Sequence, residues 1–419
     1  MMTQAFYTGI SALKSNQTAI DVISDNLANV STNGFRGYSA EFSSLFENAL
    51  NSTSASSSAD SQIGVGTRVS ATTMNMQNGS AILTEKNTDL AISGDGWFGV
   101  QSSGAPLYTR DGNFSFDAND NLVTGDGFSV LGTMGGNISN NTLTKTLGEI
   151  PLKSAAAQEK LQFPKYLTYP AEPTTNAKFF ANLGLGADMV PVGVGVVDSK
   201  GNKNNLKLEF TKSATQTPPG SQWDVVATTK SLDGLTTYDT KTGTVNFGEN
   251  GDLLSTTIST IDNNGTNVAI DLGSGYGGVV TTNGIYKSGS SIVDGTVGGD
   301  LEGYSINKNG EVLATFTNGM QSSVGKIAVY HFQNDQGLDR VTGTKFSESS
   351  NSGNAMFFKD ANGNDTIGAS IMNYKLEGSN VQMSTGLTDL IIHQKAYDAS
   401  SKCVTTADQM IQKALNMHK

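Results

Sequence analysis

Cysteine is nearly absent from the 419 residues: Cys403 stands alone. An internal disulfide framework is therefore excluded, and a thiol packed inside a helix is the expected role of Cys403. Histidine is almost as scarce. His331, His393 and His418 lie far apart, show no metal-ligand spacing and leave few candidates for a general base. Charged side chains make up 16%, against about a quarter in ordinary domains, and the net charge is −11 with no Lys/Arg-rich run. A nucleic-acid partner, which needs a basic surface, is excluded. No apolar run approaches the roughly 20 residues of a membrane span, so no membrane insertion is expected. Met1 to Val30 also lacks the basic start and apolar core of a cleaved secretory signal. Composition alone would place the chain in the cytoplasm.

Polarity comes instead from Asn, Ser, Thr and 48 glycines, which implies a turn-rich, mostly β chain between its ends. The length suits three or four units.

The two ends are different. Between Thr3 and Val30, Phe6, Leu13, Ile20 and Leu27 recur every seven residues, and between Leu387 and Leu415 so do Leu390, Tyr397, Val404 and Ile411, with Leu387 and Leu415 in the phase four residues on. Both stripes are helical seams, and two matching seams predict pairing. Asn16, Gln17 and Ser24 interrupt the first, as Gln394, Ser401 and Asp408 interrupt the second. Burial of so broken a stripe does not offset the ordering of its backbone, so the helices are expected to be loose until an assembly covers them.

Asn33-Gly34 ends the first helix with a residue suited to positive φ. Phe35, Tyr38, Phe42, Leu45 and Phe46 follow in rough helical spacing, and then Asn51 to Gln62, nearly all Ser, Ala, Thr and Asn, reads as a solvated linker. From Ile63 the texture turns to short alternating segments, among them Asp89 to Val100 and Tyr108 to Phe116. A separate all-β region carries Val192 to Asn202, Leu206 to Phe210 and Trp223 to Val226, with Asn250-Gly251, Asn264-Gly265 and Asn283-Gly284 as primed hairpin turns. The strands from Asp300 to Phe332 are expected to complete the first β unit, so that the chain goes out and comes back.

Nothing here argues for catalysis, and no cofactor, metal or enzymatic activity is expected. Asp117 to Asn121 starts like a calcium loop, but Leu122 stands where glycine is needed and Phe128 where the bidentate Glu belongs. Asp360 to Asp365 fails likewise, so both are read as hairpin turns. Gly273 to Gly278 has no following Gly-Lys-Ser/Thr. Trp97 and Trp223 lie in alternating strands and are assigned to cores.

Asp25-Asn-Leu-Ala-Asn-Val-Ser-Thr-Asn-Gly-Phe-Arg36 closely resembles the N-terminal signature of bacterial flagellar rod and hook proteins, and Leu376-Glu-Gly-Ser-Asn-Val381 leading to Gln394-Lys-Ala-Tyr397 resembles their C-terminal one. Asp89 to Phe98 and Tyr108 to Phe114 fit the same family's inner β domain. The signature positions are Asn26, Asn29, Asn33, Gly34, Phe35, Gly94, Gly96, Phe98, Arg110, Gly112, Phe114, Asn380, Val381 and Tyr397. Rod members are shorter and lack a large outer domain, so the hook-type members are the better match.

The resemblance implies an α+β fold, its long terminal helices paired as a coiled coil around two nested, mainly antiparallel β domains. Expected boundaries are 1–30 with 380–419 for the helical domain, 31–75 with 366–379 for a connecting region, 76–143 with 294–365 for the inner β domain and 144–293 for the outer one. It implies a homo-oligomer, a curved tube of identical subunits acting as a universal joint between rod and filament, with the seams packing within and between subunits. Implied partners are rod, hook-cap and hook–filament junction proteins and the type III export apparatus. The implied location is the extracellular hook region of the flagellum, reached without a cleaved signal, which displaces the cytoplasmic expectation. A distal-rod protein and a secreted β-rich adhesin are the alternatives.

Overall fold

The computed structural model describes residues 2–47, 63–216, 218–282, 284 and 289–416. The Ser-rich stretch, Asn283 and His418 fall outside them. Helix α1 spans Met2–Ala28 and α2 spans Met383–Asn416, and the two pack side by side. Small residues set their approach. Gly9, Ser15 and Ala19 of α1 and Ala407 of α2 are buried, and a Cβ on Gly9 would stand 2.6 Å from Val404 Cγ2. The larger seam residues Phe6, Leu13, Ile20, Leu27, Leu390, Val404 and Ile411 are half-buried, while Leu387, Tyr397 and Leu415 are exposed. Cys403 is exposed on α2, contrary to the packed role expected of it.

The apolar set after α1 is a strand, not a helix: Tyr38–Glu47 pairs antiparallel with Ile63–Met74. A bulge between Glu41 and Phe42 shifts the register there and breaks the alternation that would have marked the strand. The hairpin lies along α1, where the Ser15 hydroxyl donates to the Thr67 carbonyl at 3.0 Å. Ile63–Met74 thus belongs with this hairpin and not with the β unit that follows.

In the inner unit the returning chain threads back beside the outgoing one. The sheet runs Gly299–Ile306, Glu311–Phe316, Gln321–Ile327, then Ser129–Met134, Trp97–Gln101 and Leu107–Thr109. Its core takes in more sequence than expected. Leu152, Leu161, Phe163, Leu167 and Tyr169 join Phe98 and Val312, and Thr168–Tyr169 pairs with Gly299–Ile306. Residues 144–169 therefore pack here and not in the outer unit. Ile367 and Ile371, from the expected connecting region, do so as well. Their strands are two to four residues long, too short to show a period.

The outer unit is built on a five-stranded antiparallel sheet of Met189–Val197, Lys203–Lys212, Ser221–Ser231, Thr237–Phe247 and Leu253–Thr256. Leu206, Leu208 and Phe210 point to one face, where Trp223 packs with them. At Asn264-Gly265 both residues have positive φ, 52° and 89°, as a primed turn requires; at Asn250-Gly251 only the glycine does. Two antiparallel segments, bridged at Glu172 and Thr296, join the outer unit to the inner one. The Asp117 and Asp360 carboxylates each accept backbone N–H groups two and four residues on, which makes these stretches turns.

Candidate functional site at the helix–sheet junction

Most of the signature positions converge where the helix pair meets the inner sheet. Asn26, near the end of α1, grips one residue of the hairpin: its Nδ2 donates to the Tyr38 carbonyl at 2.6 Å, and its Oδ1 accepts the Tyr38 N–H at 2.8 Å. Asn29 closes the helix end, with Nδ2 donating to the Asp25 carbonyl at 2.9 Å and Oδ1 accepting from the Thr32 hydroxyl at 3.1 Å. Asn33 is half-buried in the turn. Gly34 follows with φ +66°, and its N–H donates to the Glu377 carbonyl at 2.7 Å; a Cβ there would collide with the Arg110–Asp111 backbone. That is why a side chain is not tolerated.

Asn380 forms the mirror clasp at the start of α2. Its Oδ1 accepts the Gly37 N–H at 2.8 Å, and its Nδ2 donates to the Asn75 and Gln77 carbonyls at 2.9 and 2.8 Å. Val381 packs over Gly37. Phe35 is buried beneath the Arg340 guanidinium, 5.3 Å from its ring centroid, and Arg340 also pairs with Asp25 at 2.9 Å.

At the centre one carboxylate serves two guanidinium groups. Glu377 Oε1 accepts from Arg36 Nη2 at 3.0 Å and from the Gly79 N–H at 3.0 Å, while Oε2 accepts from Arg110 Nη1 at 3.2 Å. All three side chains are buried. Arg36 also donates to the Met76 and Gln77 carbonyls and to Asn78 Oδ1, and Arg110 donates to the Gly94 carbonyl at 3.0 Å. Burial, with repulsion from Arg110, brings the Arg36 pKa down to about 10 despite Glu377. Burial likewise lowers that of Arg110. The clamp joins four stretches: the exit from α1, the 76–79 turn, the inner sheet and the approach to α2.

The other signature residues shape the inner sheet beneath it. Gly94 and Gly96 adopt φ of +114° and +135°, Gly112 lies against the Leu90 carbonyl with no room for a Cβ, and Phe98 and Phe114 meet edge to face at 5.1 Å. Tyr397 is not part of the junction; it lies half-way along α2.

Sequence reasoning missed Glu377 and the role of Arg36, although both stood inside quoted stretches. It also missed a polar pair in the helix seam. His393 Nδ1 donates to Asn16 Oδ1 at 3.0 Å, because Asn16 Nδ2 is occupied by the Ala12 carbonyl, and the imidazole stacks on Phe42 at 5.7 Å. The interruption at Asn16 was the only available signal.

This geometry is a structural joint. Among the described residues, no group of acidic, histidine or cysteine side chains could hold a metal ion, and no helix is long and apolar enough to cross a membrane.

Comparison with known proteins agrees with that layout along the chain. Residues 6–36 match the flagella basal body rod protein family and 372–417 the flagellar basal body rod FlgEFG protein C-terminal family. Residues 91–159 match the flagellar hook protein FlgE/F/G D1 domain, and 192–352 the flagellar basal body protein FlaE D2 domain. Full-length relatives span it end to end. The flagellar hook protein FlgE of Salmonella typhimurium is 28% identical over 99% of this chain and 100% of its own. That of Borreliella burgdorferi is 28% identical over the same shares. End to end, the chain is similar to flagellar hook proteins FlgE.

The fold is recognisable among solved structures as well. The Helicobacter pylori flagellar hook protein FlgE2 superposes with a TM-score of 0.53 at 17% identity, over 71% of this chain and 100% of that one, a likeness of fold.

Proposed function

We infer that this chain is a structural subunit of the bacterial flagellar hook, the segment that links rod to filament. The observation that carries this reading is the end-to-end match to hook proteins, D2 domain included, over a chain whose two termini meet as a helix pair. The D2 match also favours hook over rod.

Copies assemble into a curved tube through the terminal helices. Phe6, Leu13, Ile20, Leu27, Leu390, Val404 and Ile411 hold each pair, and the residues left in water, Leu387, Tyr397 and Leu415 together with Ile391 and Ile392, pack against neighbouring copies. The junction clamp carries torque from helices to sheets. A universal joint must lengthen and shorten subunit contacts at each turn, which the low charge and polar, glycine-rich surfaces of the β units suit, since small water-mediated contacts slide more easily than interlocked apolar ones. Export by the flagellar type III apparatus without a cleaved signal, to an extracellular hook bounded by rod, cap and junction proteins, completes the proposal. A chain without internal disulfides suits that route.

The test is immunogold electron microscopy with an antibody to residues 190–290, using a strain deleted for this chain as control. Gold confined to the curved segment, with hook and filament missing in the deletion strain, is the expected result. Gold on the rod or over the general cell surface contradicts it.

A further inference from the structure

Two of the most exposed apolar side chains in the molecule share one tight turn. Leu232 and Leu235, 70% and 86% exposed, lie in the Ser231–Thr237 connection between two strands of the outer sheet. Asp233 stands between them. Its Oδ1 accepts from the Ser231 hydroxyl and from the Leu235 N–H at 3.0 Å, which fixes the turn, and among the described residues Oδ2 has no hydrogen-bond donor. The tip is thus a rigid acidic and apolar knob.

Its position in the fold matters. Val197, Lys203, Ser231 and Thr237 share one end of the sheet, and the Thr174 N–H bonds the Val197 carbonyl there. The tip is therefore at the end of the outer unit nearest the connection to the inner one.

On the inner unit, the loop before Thr168–Tyr169 offers the complementary chemistry. Tyr166 is 74% exposed, and the Lys165 ammonium lies 6.0 Å from its ring centroid, without a carboxylate partner among the described residues. This loop is also next to the connection.

We propose that the Leu232–Leu235 turn of one copy docks on the Lys165–Tyr166 loop of a second copy, with both leucines against the phenol ring and Asp233 Oδ2 paired with Lys165. Among the described residues neither Asp233 nor Lys165 has an ion-pair partner, and knob and loop match in apolar character and in charge. The contact is heterologous, knob to loop, so it propagates from copy to copy as a helical assembly requires. It rests on the proposed hook assembly and adds to it a specific contact between inner and outer units of different subunits.

The test uses the full chain carrying Cys403→Ser, Tyr166→Cys and Leu235→Cys in the deletion strain, oxidised mildly on intact flagella. The expected result is a ladder of covalent multimers that a reductant returns to monomer. A faster-migrating monomer alone would mean an intrachain contact, and dimers from Leu235→Cys by itself a tip-to-tip one; either overturns the proposal, as does a hook without any cross-link. A charge swap covers the case in which the cysteines block assembly. Asp233→Lys is expected to reduce hook yield and the added Lys165→Asp to restore it, and failure to restore overturns the contact. Micrographs of the strain complemented with the unaltered chain separate this from the hook reading, which fails only if no hook forms there.

Discussion

Arg36 and Glu377 come from opposite ends of the chain and meet in a 3.0 Å ion pair with both side chains buried. Arg110 shares the same carboxylate. Two buried cations on one anion are tolerable only while that anion is present, because removing one partner of a buried pair costs about 3–5 kcal/mol. Glu377→Gln is expected to destabilise the inner unit by that order. Urea unfolding followed through Trp97, which lies 5.6 Å from the Arg110 guanidinium, in a Trp223→Phe background, measures it. An unchanged midpoint would mean that the clamp contributes little.

Gly34 has no room for a side chain and a φ of +66°. Gly34→Ala is expected to cost about 1–3 kcal/mol through backbone strain alone, with more from the collision with Arg110–Asp111. Gly265→Ala, at φ +89° in an open turn, carries the strain without the collision. Thermal melts of the two should differ, with Gly34→Ala the lower; equal melting would deny the close approach.

Acid should act on the outer unit through Asp198. Burial alone would push this carboxyl up, but the Asn264 amide, together with donors at Asn202 and Lys200, holds it below its ordinary 3.8. A folded-state value below the unfolded one gives stability that is full above the ordinary value and is lost as pH falls through it toward the folded value. Acid unfolding of the outer unit should therefore steepen below about 4, and Asp198→Asn should flatten that dependence. Outer-strand amide exchange measured across this range decides it.

Among the described residues, α1 and α2 have few buried positions in the single chain: Gly9, Ser15 and Ala19 on one, Ala407 on the other. Their amides are expected to exchange much faster than those of the Ser221–Ser231 strand, and to slow on assembly. Slow exchange in dilute monomer would mean that the helix pair is stable alone.

Much of this was legible in the sequence because it has a period or a signature. The heptad stripes located both helices, and alternation located the outer strands around Leu206, Leu208 and Phe210. Other parts carried no such mark. A bulge at Glu41–Phe42 hid a strand under an apparently helical spacing. Leu161 and Phe163 reach the inner core from segments too short to show alternation, so the boundary near residue 144 was misplaced. Nothing local to Glu377 reveals that Arg36 and Arg110 converge on it from distant segments. Gly34, Asn26 and Asn380 stood out by resemblance; their shared role in one joint needed three dimensions.

In the proposed assembly the terminal helices build the tube while the β units fold independently of it. Leu390→Asp and Ile411→Asp, each expressed in the deletion strain, test it most directly by counting hooks on electron micrographs and comparing the melting of the purified variants with that of the unaltered chain. No hooks and an unchanged β-unit transition are expected. Normal hooks from either variant would contradict it.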